Sequence, residues 1–289
     1  MKSLDVILLL SRNNQHSDLA INTLHMTRSS SRINKYASIK PESNEIFRSK
    51  IEKFDDIKLL INKSTSCFDH MYNLCQSSKA DYIMFLHDDD YFGEDLLVNS
   101  LSILDKYEPL GLASKATYID YNSRIYKNRQ PNDTNHIRKL GLYKILATYF
   151  LPFERPVIFP TVAFKVDELN KYWITYRKRM GVHEDARVVA HFCTMGLFLE
   201  NLSTSLYYYR IHNEQSSNFK SKEGDRLKLI LWLKSLNINI IYKLLLLVSA
   251  KLQYLIYIKD IDSKSSFIFR LASKMRLKLI NIRRGGDVI

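Results

Sequence analysis

The stretch Tyr82-Ile83-Met84-Phe85-Leu86-His87-Asp88-Asp89-Asp90 decides the reading of this chain. Its first half is apolar, aromatic and β-branched, the composition of a buried strand, and three acids follow where that strand should end. In open α/β sheets, ligands bind beyond the carboxyl ends of strands. Three adjacent carboxylates repel one another unless a cation or several hydrogen-bond donors hold them. Carboxylate oxygens suit hard cations such as Mg²⁺ or Mn²⁺, which in turn bridge phosphates. The plainer alternative is a polar turn whose last aspartate caps a helix starting near Phe92.

The flanking sequence supplies the sheet. Leu4 to Leu10, Lys35 to Ile39, Ile57 to Ile61 and Asp81 to Leu86 read as strands. Helical spacing lies between them, at Asp18 to Met26, Asn44 to Phe54 and Phe68 to Ser77. Strands separated by helices of this length imply a mainly parallel sheet. Beyond the acids, a helix is expected from Phe92 towards Tyr107. Leu112 to Tyr126 reads as antiparallel strands around a turn at Asn122-Ser123, and Pro131 to Asn135 as loop. A strand at Thr161 to Lys165, helices at Asp167 to Trp173 and Val182 to Met195, and an extended Leu206 to Ile211 follow.

Composition excludes several classes. With Gly 8 in 289 residues, the chain has neither G-x-G-x-x-G nor a Walker lysine loop, which argues against dinucleotide and P-loop enzymes. Cys67, Cys75 and Cys193 give neither a disulfide framework nor a C-x-x-C site, as in a reducing compartment. Val6 to Leu10 is too short for a membrane span and lacks a cleavage site, so it reads as a first strand rather than a signal peptide. The net charge of +13 is uneven: residues 220–289 hold 15 Lys/Arg against 5 Asp/Glu, a net +10. The expected division is therefore a near-neutral domain over 1–219 and a helical, basic region over 220–289. That region is expected to meet something anionic, or to pack on the domain. No nucleic-acid reader module is present. Lys243 and Lys251 interrupt its apolar run, so an interfacial helix on an anionic membrane fits better than a spanning one.

Two further polar clusters stand out. His183-Glu184-Asp185 opens a helix, where a carboxylate either favours the helix dipole or serves as a base at a cleft mouth. Tyr207-Tyr208-Tyr209-Arg210-Ile211-His212 ends a strand; His212 is either a surface histidine or a metal-ligating imidazole.

In this order the clusters resemble the family 2 glycosyltransferases of the GT-A fold. Those enzymes have a Thr/Ser-x-Asn-Arg-like turn after the first strand, a strand ending in Asp-x-Asp, a Glu-Asp pair opening a later helix, and a Tyr-Arg-x-His stretch followed by Ser. The counterparts here are Ser11-Arg12-Asn13-Asn14, His87-Asp88-Asp89-Asp90, Glu184-Asp185, and Tyr209-Arg210-Ile211-His212 with Ser216 or Ser217. Asn73 falls near an asparagine the family places on the helix before the acidic strand. The resemblance spans about residues 3 to 218 and implies a mixed, mainly parallel sheet flanked by helices.

It further implies metal-dependent, inverting transfer of a sugar, from a UDP-sugar first among donors, to a glycan or lipid-linked hydroxyl. The setting implied is bacterial surface polysaccharide synthesis (capsule or O-antigen), cytoplasmic and peripheral on the inner membrane face. Asp185 is the expected base and Glu184 the second choice. Ser11, Arg12, Asn13, Asn73, Asp88, Asp89 and Arg210 are the expected donor contacts, and Asp89, Asp90 and His212 the expected ligands of Mn²⁺ or Mg²⁺. Two registers fit the acidic motif, His87-x-Asp89 and Asp88-x-Asp90, and Asp88 is placed near the ribose. The family's Asp-Asp-x-Ser-like element after the second strand has only Glu42-Ser43, shifted, to answer it. A nucleotidyltransferase would need a Gly-rich basic loop where Ser11-Arg12-Asn13-Asn14 stands; a non-catalytic peripheral membrane protein with a decayed site is the other alternative.

Overall fold

The computed structural model describes residues 1–64, 66–126, 137–150, 157–176, 181–203, 207–211 and 223–259. His212, Ser216, Ser217, the expected loop at Pro131 to Asn135 and the end of the basic region lie outside them.

The chain opens with β1 (Leu4–Leu9), α1 (Gln15–Met26), β2 (Ile33–Ile39), α2 (Asn44–Ile51), β3 (Ile57–Ile61), α3 (Cys67–Ser77) and β4 (Tyr82–His87). These four strands are parallel and lie side by side in the order β3-β2-β1-β4. The chain thus steps outward from β1 to β3, then returns to place β4 on the other flank of β1. That reversal opens a crevice beyond the ends of β1 and β4. Both strands are buried on both faces, which is why they read as continuous apolar runs rather than alternating ones.

After the acidic turn come β5 (Tyr91–Phe92), α4 (Leu96–Tyr107), β6 (Gly111–Ser114), β7 (Ala116–Ile119), β8 (Ile137–Lys139), α5 (Leu142–Phe150), β9 (Val162–Lys165), α6 (Val166–Thr175), α7 (Glu184–Met195), β10 (Phe198–Asn201) and β11 (Tyr207–Arg210). The main sheet continues from β4 through β9, β6, β10 and β8, with β9 antiparallel to both neighbours. A small second sheet, β5-β11-β7, lies over the acidic turn.

Two expectations are corrected here. Phe92 belongs to β5 and not to a helix, because Tyr91-Phe92 pairs with Tyr207-Tyr208; α4 starts at Leu96. Leu112 to Tyr126 is not one antiparallel unit, since β6 enters the main sheet and β7 the small one; the expected antiparallel pairing around Asn122-Ser123 is confined to the end of β7, where Ile119 bridges to Ile125.

Alternate residues of β4 divide the core. Ile83 and Phe85 face one layer with Leu74, Leu169, Trp173 and Val188. Met84 and Leu86 face the other, with Leu24, Phe47, Leu101 and Leu104. The result is a three-layer α/β structure. The basic region continues as α8 (Glu223–Ser235) and α9 (Ile240–Lys259), with Leu229, Leu233 and Leu246 buried in the first layer. Among the described residues, no helix is long and apolar enough to cross a membrane.

Candidate active site

The site grows from the parallel register of β1 and β4, in which Leu9 lies beside His87. The next residues of each strand therefore meet across the crevice. Asp88 turns back towards β1: its Oδ2 accepts from the Ser11 N–H (2.7 Å), the Ser11 hydroxyl (2.9 Å) and the Arg12 N–H (2.8 Å). Its Oδ1 accepts from Arg12 Nη2 (2.7 Å). The same nitrogen reaches Asp89 Oδ2 at 2.8 Å. Arg12 is held strongly protonated by these two carboxylates against the cost of its partial burial. Four donors thus spend Asp88 on joining the ends of two strands.

Asp90 is fully buried and faces the small sheet. It accepts from the Tyr207 hydroxyl (2.6 Å) and the Arg210 N–H (2.7 Å), so it does not cap a helix. Burial, with the neighbouring Asp89 charge, still pushes its carboxyl well above the usual carboxylate range. One ligating atom each of His87, Asp89 and Asp90 lies within 4.8 Å of the others. That group takes in both members of the His87-x-Asp89 register together with Asp90 of the other. Burial lowers the His87 imidazole below its ordinary value, against the pull of Asp89 and Asp88.

Arg210 is buried, which lowers its guanidinium against the pull of the Asp90 and Asp89 charges. Its Nε donates to the Asp89 carbonyl (2.7 Å), and its Nη1 to the carbonyls of Asp120 (2.9 Å) and Tyr121 (2.8 Å) and to Ser123 Oγ (3.1 Å). One guanidinium thereby ties the acidic turn to the turn that follows β7. Ser123 takes φ 64° in that turn.

The two acids of α7 have different surroundings. Glu184 is fully buried, accepting from the Tyr172 hydroxyl (2.5 Å) and from Arg187 Nη2 (2.7 and 2.8 Å). Asp185 is half-buried and accepts from the Ala186 N–H (2.7 Å). Burial, assisted by Glu184, raises its carboxyl to about 6. Tyr209 on β11 feels the charge of Asp185 as well as of Asp89 and Asp90, and Tyr149 on α5 feels Asp185. These tyrosines border the space between the acidic turn and α7. Sequence reasoning noted Tyr209 only within the Tyr209-Arg210-Ile211-His212 stretch and missed Tyr149.

The remaining expected residues stand further out. Asn13 accepts from Lys50 (2.7 Å), and Asn73 is exposed on α3 and donates to Ser64 Oγ (2.7 Å). Asn14 caps α1, accepting from the His16 and Ser17 N–H groups, so that helix starts directly beyond Ser11 and Arg12.

A mainly parallel sheet with its acids at this reversal, flanked by helices and overlaid by a second small sheet, defines the GT-A fold. Crystal structures of S. aureus TarS, a family 2 glycosyltransferase of this fold, match the chain. TarS 1-349 aligns with a TM-score of 0.59 at 13% identity, covering 92% of this chain and 74% of that one. Its complex with UDP gives 0.60 at 14% over 92% and 74%. Its complex with UDP-GlcNAc gives 0.58 at 12% over 92% and 75%. At such identities the likeness shows the fold. No family model matches the sequence, and no curated protein matches it.

Proposed function

We propose that the protein is an inverting glycosyltransferase that moves a sugar from a nucleoside diphosphate donor, a uridine one first, to a hydroxyl of a glycan or lipid-linked acceptor. One observation carries this reading: Ser11, Arg12 and the acidic turn meet at the sheet reversal of a fold shared with TarS, whose complexes hold UDP and UDP-GlcNAc.

The residues present suit a divalent cation. His87, Asp89 and Asp90 bring an imidazole and two carboxyl groups within 4.8 Å of one another, and burial with the Asp89 charge raises the Asp90 carboxyl, a strain that a bound cation would relieve. Asp89 and Asp90 would hold the ion; bound there, it would offset the charge that grows on the departing diphosphate. Asp88 keeps Ser11 and Arg12 at the donor's edge. Asp185 takes the acceptor proton, since a carboxyl near 6 is ionised at neutral pH yet basic enough to accept it. Glu184 positions α7 through Arg187 and Tyr172. Single displacement follows, with the base and the acidic turn on opposite sides of the transferred sugar. The basic α8–α9 region would dock the enzyme on an anionic membrane face, close to a lipid-linked acceptor.

A thermal-shift series with nucleotide sugars, with and without Mn²⁺, tests this. The correct donor at 100 times its Kd stabilises the fold by about 2.7 kcal/mol. That stabilisation should disappear in chelator. A flat response to every sugar nucleotide would remove the reading.

A further inference from the structure

His87 occupies the first position of the acidic motif, where the resemblance leads one to expect an acid. It ends β4 on the side opposite Asp88, because side chains alternate along a strand. Asp88 is thereby committed to Ser11 and Arg12, and His87 turns to the side of Asp89 and Asp90, within 4.8 Å of both by one ligating atom each. From this we infer that the His87 imidazole is a direct ligand of the cation, completing a one-nitrogen, two-carboxylate set. The inference rests on the cation-dependent reading above and adds a selectivity to it. A carboxylate-only set is a hard site suited to Mg²⁺, whereas an imidazole nitrogen moves preference towards Mn²⁺ and the later first-row metals. Asp90 still has lone pairs for such an ion, since each carboxylate offers about four acceptor positions and two are taken by Tyr207 and Arg210.

Pulsed electron paramagnetic resonance of Mn²⁺ on the full-length chain, in the absence of any substrate, tests the assignment. The wild-type protein should show modulation from a coordinated ¹⁴N nucleus. His87→Gln should lose it and bind Mn²⁺ at least ~10-fold more weakly, as metal sites do on losing even supporting groups. His87→Asp, which restores an acid, should bind Mn²⁺ without ¹⁴N modulation and should gain Mg²⁺ affinity relative to Mn²⁺. Circular dichroism of both variants separates a lost ligand from a lost fold. Wild-type Mn²⁺ binding without nitrogen modulation, or modulation that persists in a folded His87→Gln protein, overturns the assignment and leaves the cation reading standing. Absence of Mn²⁺ binding by the wild-type chain overturns both.

Discussion

Glu184 and Asp185 are chemically near-identical neighbours with opposite environments. Glu184 sits among a hydroxyl and a guanidinium; Asp185 is raised to about 6, chiefly by burial. Its folded value lies above the ordinary aspartate value of 3.8, so the folded state holds the proton more tightly than the unfolded chain. Stability on this account is full below about pH 4 and falls as pH rises towards 6. Asp185→Asn should therefore abolish transfer, leave donor binding nearly intact, and raise stability by about 1–2 kcal/mol at pH 7–8, the value reduced for partial exposure. The gain should vanish near pH 4. Chemical denaturation at the two pH values checks the sign, and wild-type turnover by the variant would refute the base assignment. A wild-type rate that climbs through about pH 6 is the matching kinetic signature. The acids themselves were legible in the sequence because their positions follow strand and helix ends. Their partners were not: Asp90 with Tyr207, and Arg210 with Asp120, join residues far apart in the chain, and a guanidinium that binds main-chain carbonyls leaves no mark in composition.

Among the elements, β1 to β4 and the first three helices were readable because long apolar periods separate them. Further on, β9, α6, α7 and β11 also stand where the sequence put them, whereas β5, β8, α5 and β10 were not readable. β8 and β10 have three and four residues, too short to show a period. α5, Leu142–Phe150, has only nine residues, between segments with no clear period of their own. β5 has two residues and exists only through its pairing with β11. The junction of β6 and β10 offers a direct test of packing. A Cβ on Gly111 would lie 2.4 Å from the Phe198 ring, which is fully buried. Gly111→Ala should destabilise the protein by about 1–3 kcal/mol through overpacking, and Phe198→Leu should recover part of that loss. A double-mutant cycle by urea denaturation measures the coupling; additive losses would show that the ring yields freely.

At the scale of the molecule, α8 and α9 present apolar side chains on both sides. Leu229, Leu233 and Leu246 pack inward, where Trp232 meets Phe150 and the Tyr242 hydroxyl donates to the Tyr143 carbonyl (2.5 Å). Leu227, Leu231, Ile240, Ile241, Leu244 and Val248 are each more than half exposed. The basic region was expected either to pack or to meet a membrane, and its inward side packs. Residues 223–259 carry six Lys/Arg against two acids. Apolar side chains with basic neighbours suit an interfacial position on anionic lipid. Vesicle sedimentation should show binding to phosphatidylglycerol-containing membranes that weakens in high salt. Leu231→Glu with Val248→Glu should lower it at least ~10-fold, since each large apolar side chain contributes about 1.5–3 kcal/mol on burial. Equal binding to neutral vesicles would remove the electrostatic part of this reading.

One contact links that outer layer to the chemistry. Gly181 takes φ 64°, and a methyl group there would lie 2.0 Å from Asp225 at the start of α8. The helical turn Gly181–His183 runs straight into Glu184 and Asp185. The start of α8 is thus a brace against the turn that leads into α7, the helix carrying the proposed base Asp185. On the proposed reading, fastening that brace to a surface would also steady Asp185, so an enzyme adrift in solution and one held at a lipid face would differ in readiness without differing in sequence.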